Sequence, residues 1–140
     1  MKENQKNILK EIQENSRIGF AKIGRKFDIP VSTVFDYFYS MQGFFDKYVS
    51  LIDFKKIGLG IRVFFIVKSK NKKELFDFLD NCLYINNIFE LKDYDYCFDA
   101  LFFGMRDFHD FQQELNKIEL EEIHSHFLTE VLKYEEFSGF

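Results

Sequence analysis

The hydrophobic period of the sequence changes part-way along the chain, and that change limits the folds open to it. Through residue 41, apolar residues recur three and four apart: Ile8, Leu9 and Ile12, then Phe20, Ile23 and Phe27, then Val34, Phe38 and Met41. This spacing puts one buried face on each of three helices. From Ile61 onward, apolar residues alternate along short β-branched and aromatic runs, interrupted by two further helical stripes. A chain of 140 residues that switches in this way is expected to form a small helical unit followed by a unit of sheet and helix.

The first unit has the outline of a helix-turn-helix. A polar break at Asn15-Ser16 separates the first two stripes, and Asp28-Ile29-Pro30 is a three-residue turn with Pro30 suited to the first turn of the next helix. Gly24 is a small residue at the middle of the second helix, where the third is expected to cross closely, and Val34, ten residues on, is expected to pack into that crossing. Asp28 stands where the turn favours a residue that tolerates the left-handed region. An ordinary helical hairpin that binds nothing shares this periodicity, which does not separate the two readings.

Phe44 to Phe54 is short, aromatic and expected to be extended, and Gly58-Leu59-Gly60 is expected to act as a flexible joint. Those glycines lack the strand-to-helix context of a phosphate-cradling loop. Beyond them the elements run strand (IRVFFIVKS), helix (KKELFDFLDNC), two strands (YINNIFELK and YCFDALFFG), helix (MRDFHDFQQELNKI) and a final strand (EEIHSHFLTEVLKYE). The order βαββαβ is the ferredoxin-like plan, which makes the whole chain α+β. Ile61, Val63, Phe65 and Val67 point to one side of the first strand, and Phe64 and Ile66 to the other. Two helices cover one face of a four-stranded sheet. Phe64, Ile66, Leu101 and Phe103 then form an apolar second face, on which a second copy of the chain is expected to pack.

Composition removes several classes. At 46% hydrophobic residues the chain is not disordered, and no apolar run of 18 residues exists to span a membrane. The first fifteen residues are polar and lack the apolar stretch of a signal peptide, so a cytoplasmic protein with reduced Cys82 and Cys97 is expected. Net charge is −4, divided unevenly: residues 1–60 carry ten Lys/Arg against seven Asp/Glu, and residues 61–140 nine against sixteen. A basic first part joined to an acidic remainder suggests one module facing nucleic acid and another with a different task. His124 and His126 share a strand face, but two histidines without further convergent ligands make no metal site. No nucleophile elbow and no distinct carboxylate pair is present. No catalytic residue, metal or cofactor is therefore expected, and the Phe-rich stripes read as core.

Several strings together resemble the Lrp/AsnC family of transcription regulators. QENSRIGFAKIGRKFDIPVSTV is similar to the family's helix-turn-helix, GFFDKYVSLIDFKKIGLGIRVFFIVKS to its linker strand and first regulatory strand, KDYDY to its Gly-Asp-Tyr-Asp turn, and EEIHSHFLTEVLKYEEF to its closing strand. The resemblance implies a winged helix-turn-helix DNA-binding domain over 1–46, a linker strand and hinge over 47–60, and a ferredoxin-like regulatory and dimerisation domain over 61–140. It implies double-stranded DNA as partner, homodimers that assemble into tetramers or octamers, and an amino acid or related metabolite as effector. It also assigns residues. Arg17, Lys22, Arg25, Lys26 and Lys47 would contact phosphates, and Ser32, Thr33, Tyr37 and Tyr39 would reach base edges or backbone. Asp93, Tyr94, Asp95 and Ser125 would receive the effector.

The sequence also departs from the family's pattern. Tyr37 stands where the third helix usually carries Arg, with Asp36 before it and Ser40 at a position that is often basic, and the helix end is shorter by two residues before Gly43. Lys92 replaces the Gly of the family's turn. These departures raise an alternative, a family member that binds effector or assembles with a DNA-binding relative and has itself lost sequence-specific recognition. Some haem-pathway decarboxylases share the domain layout, but their Arg- and His-bearing segments are absent, so no enzyme is expected.

Overall fold

A computed structural model describes residues 1–134 and divides the chain into two compact units, one holding Met1–Leu51 and the other Ile52–Val131. The first contains α1 (Glu3–Glu14), α2 (Phe20–Phe27) and α3 (Val31–Ser40). Gln5 and the backbone N–H of Lys2, 2.8 Å apart, close the start of α1. Ile8, Ile12, Ile23, Val34 and Met41 are buried together between the three helices, with Phe20, Phe27, Tyr37 and Phe38 packed around them.

The second unit is the expected βαββαβ: β1 (Ile61–Ser69), α4 (Lys72–Asn81), β2 (Ile85–Glu90), β3 (Tyr96–Phe102), α5 (Met105–Leu115) and β4 (Leu120–Leu128). The strands form one antiparallel sheet in the order β2-β3-β1-β4. Val63, Phe65 and Val67 of β1 and Phe98, Ala100 and Phe102 of β3 meet Leu75 and Leu79 of α4 and Phe108, Phe111 and Leu115 of α5. Phe65 and Phe98 are cross-strand partners whose rings stack at 4.9 Å. Each fully buried Phe contributes roughly 1.5–3 kcal/mol by leaving water.

Several expectations need correction. Residues 44–54 do not form an extended strand: a 3-10 turn spans Gln42–Phe44, another spans Phe54–Ile57, and the stretch between them has no regular structure. No backbone hydrogen bond ties 46–52 to another part of the described chain, and a strand exists only where a neighbour completes its ladder. Among the described residues, no β-hairpin wing follows α3 in the first unit. Gly58 is less a free joint than a helix stop. It adopts φ +93°, its N–H donates to the Lys55 carbonyl, and the next N–H, of Leu59, donates to Phe54. These are the two bonds of a Schellman cap.

The open face of the sheet also differs from the apolar surface expected. Phe64 and Ile66 lie there, half-buried, but Leu101 is buried, and Phe103 lies beyond the end of β3, its ring 3.6 Å from a Cβ built on Gly58. Asp99 sits among them at 3% exposure. Arg62 Nε donates to its Oδ2 at 2.6 Å, Asn86 Nδ2 to the same oxygen at 3.0 Å, and Asn87 Nδ2 to Oδ1 at 2.9 Å. Two consecutive asparagines reach one carboxylate because the β2–β3 register shifts between Ile85 and Asn87. Such a bulge inserts an extra residue opposite one partner.

β4 ends at Leu128, short of the closing strand expected through Glu135; Glu135 and the rest of that string, to Phe137, lie outside the described residues, as does the end of the segment 61–140. Cys97 is buried and Cys82 half-buried, neither in a disulfide. Among the described residues, no helix is long and apolar enough to cross a membrane and no cluster of side chains is placed to hold a metal ion.

Candidate nucleic-acid interface

The crossing of α2 and α3 is built on two backbone facts. Asp28 adopts the left-handed region at φ 53° and ψ 46°, turning the chain sharply after α2. The Ile29 N–H then donates back to the Gly24 carbonyl at 3.0 Å. A Cβ on Gly24 would lie 2.7 Å from the Ile29 carbonyl oxygen and 3.6 Å from Val31 Cγ2. The glycine therefore admits the turn itself and the start of α3. Val34, expected at that contact, is buried instead in the three-helix core.

This frame sets which side of α3 faces out. Val34, Tyr37, Phe38 and Met41 turn toward the core, Thr33 is half-buried, and Val31, Ser32, Phe35, Asp36, Tyr39 and Ser40 are exposed. Tyr37, assigned by resemblance to base contacts, thus packs inward. Phe35 and Tyr39 take the outward positions that sequence reasoning passed over or named only in part. Their rings lie 4.2 Å apart, and Phe20 of α2 meets Phe35 edge-on at 6.1 Å. The outward arc holds no cation and one carboxylate.

The exposed positive charge of this unit lies outside the arc. Lys22 and Arg25 are exposed on α2, Arg25 with its Nε 3.3 Å from the Ala21 carbonyl. Arg17 is exposed in the loop before α2, where its N–H donates to Asn15 Oδ1 at 3.0 Å, and Lys47 is exposed beyond the Gln42–Phe44 turn. Lys26 is engaged differently. It pairs with the nearly buried Glu11 of α1, a bond that raises its pKa and pins α2 to α1.

The residues assigned to an effector do not all converge. In the β2–β3 turn Asp93 is exposed, while Asp95 Oδ2 accepts the Ser69 N–H at 2.7 Å and the Asp95 N–H donates to Val67. Asp95 therefore braces the turn against β1. Tyr94 donates to Glu122 Oε1 at 3.3 Å, and His124 Nε2 lies 2.8 Å from the same oxygen. The Glu122 carboxylate pushes the Tyr94 hydroxyl's pKa up, and the His124 contact draws Glu122 below the usual carboxylate range. Ser125 stands opposite Phe65, so alternation along β4 turns it to the other face from His124. The turn thus gains Glu122 and His124 as neighbours and does not gather Ser125.

A family model described as winged helix-turn-helix DNA-binding matches residues 1–38. Solved structures match nearly the whole chain. A transcriptional regulator of Neisseria meningitidis in complex with L-methionine superposes with a TM-score of 0.85 at 21% identity, over 96% of this chain and 93% of that one. An AsnC family transcriptional regulator from Agrobacterium tumefaciens gives 0.84 at 20% identity, over 96% and 94%. LrpC of Bacillus subtilis gives 0.85 at 16% identity, over 96% and 99%. The fold is that of the AsnC-type regulators. No curated protein matches the sequence. The α2–α3 corner lies within the stretch matched by the winged helix-turn-helix model, apart from the last two residues of α3.

Proposed function

We propose that this chain is a DNA-binding transcription regulator of the Lrp/AsnC type, acting in the cytoplasm as a homodimer or a larger assembly of dimers. The observation that carries the reading is the α2–α3 corner: Gly24 admits the turn, Asp28 makes it, and α3 is left with one exposed arc in a unit that also exposes Arg17, Lys22 and Arg25. Phosphate neutralisation by those three residues, with Lys47, would supply most of the affinity, because counterion release dominates duplex binding. Lys26 contributes field but stays with Glu11. A second copy is taken to cover the open face of the sheet around Phe64 and Ile66.

The L-methionine bound by the Neisseria relative supports an amino acid as effector. Asp93, Tyr94 and the adjoining Glu122 would receive an ammonium group, while Asp95 shapes the turn. A second reading has its own observation: α3 presents Asp36 and no cation, which favours an effector-binding assembly partner that no longer selects a DNA sequence.

Fluorescence anisotropy separates the two. The full chain is titrated against duplex fragments, including its own upstream region, across a series of salt concentrations. A regulator shows affinity that falls steeply and log-linearly with salt. A folded dimer with flat or absent binding refutes the first reading in favour of the second.

A further inference from the structure

The outward arc of α3 has chemistry that distinguishes base pairs. In the major groove thymine shows a methyl group, cytosine and adenine show amino donors, and guanine shows two acceptors that call for a bidentate Arg or Lys. Val31 and Phe35 are 49% and 46% exposed on adjacent turns, and Asp36 is exposed beside them. Phe35 is held at its place by Phe20 and Tyr39, so its ring is a fixed apolar surface. The arc offers apolar contact and a carboxylate acceptor, and no charged donor to guanine.

We propose that α3 reads thymine methyl groups through Val31 and Phe35, and an adjacent amino group of cytosine or adenine through Asp36. The half-site of this chain is accordingly thymine-rich, without guanine at the contacted edges. This deepens the DNA-binding reading and rests on it. Asp36 acts as a filter: next to phosphates or guanine acceptors its charge is repelled, and it is tolerated only where a base amino group donates to it. The grip on the backbone then comes from Lys22, Arg25 and Arg17, outside the reading surface. On this account the absence of Arg from α3 marks a different base code.

The test is selection of duplexes from a random library by the full-length protein, followed by anisotropy on the recovered site. Replacing a contacted thymine by deoxyuridine removes only the methyl group and should weaken binding about fourfold, the worth of burying one methylene-sized group. Phe35→Ala should weaken the thymine duplex by a similar factor and abolish the difference between thymine and deoxyuridine at one contacted position while leaving that at the position read by Val31, and Phe35→Leu should retain both. Asp36→Asn should relax the base chosen beside the thymines. Circular dichroism of each variant confirms that the helices persist. Guanine-rich selected sites, or equal affinity for thymine and deoxyuridine with salt-dependent binding intact, overturn this inference and leave the DNA-binding reading standing. Loss of all salt-dependent binding in a folded protein overturns both.

Discussion

The guanidinium of Arg62 lies diagonally across the sheet from Asp99 and grips it, with Nε and one terminal nitrogen each 2.6 Å from Oδ2. With both asparagines the carboxylate has four donors, which is what permits its burial on the face opposite α4 and α5. Asp99→Ala leaves a half-buried guanidinium and two amides without their acceptor and should cost about 3–5 kcal/mol. Replacing Arg62 and Asp99 together by apolar residues of similar volume should recover most of that loss. Urea denaturation measures both; an unchanged midpoint for Asp99→Ala would show the network to be idle.

Gly24→Ala places a methyl group against a backbone oxygen that cannot move without opening the α2–α3 turn. Overpacking of this kind costs about 1–3 kcal/mol. The loss should appear in the thermal stability of the helical unit, and DNA affinity should fall with it. A variant with wild-type melting and binding would mean that the corner relaxes freely.

Charge reversal at Lys22 and Arg25 should weaken DNA binding to the same extent on every duplex. It should also flatten the salt dependence by roughly one unit of slope for each phosphate no longer neutralised. Phosphate contacts carry no base information, so the ranking of sequences should survive. If the ranking changes, those residues touch bases instead.

Glu122 titrates low because His124 bonds to it and stabilises its charged form. Its folded pKa lies below its unfolded one, so its contribution to stability is present above the unfolded value and disappears as pH falls through the folded value. Glu122→Gln should therefore be less stable than wild type near neutral pH and indistinguishable from it in acid. In a carbon-detected NMR titration Glu122 should have a lower midpoint than other exposed glutamates. A midpoint in the ordinary carboxylate range would remove the His124 contact from solution.

What was legible in the sequence follows from physical range. The change of period at residue 61 gives the order and type of the elements from β1 to β4, because alternation and helical spacing are local signals, but not the end of β4 at Leu128. The corner of the helix-turn-helix was legible in Gly24 and Asp28, although the atom that demands glycine is the Ile29 carbonyl oxygen and not Val34. Tyr37 was legible too: Val34, Tyr37, Phe38 and Met41 form one i, i+3, i+4, i+7 stripe, which turns Tyr37 inward, and resemblance alone placed it on DNA. The Asp99 network was not legible. It needs a β2–β3 bulge and a diagonal reach from β1, set by register between strands far apart in the chain. An Asp inside the apolar run YCFDALFF was the available signal. Residues 44–54 misled for a related reason, since aromatic composition favours a strand and only a neighbouring strand makes one.

The two hydrophobic cores described above differ in size: among the described residues, five buried ones, none aromatic, hold the helical unit, and thirteen, including six aromatic side chains, hold the sheet unit. Small cores leave little free energy to oppose opening. As temperature rises, amide exchange and protease cutting should reach α1–α3 well before the sheet, so the proposed DNA binding should be lost while the sheet unit is still intact. Heat, by this logic, silences the protein before it destroys it.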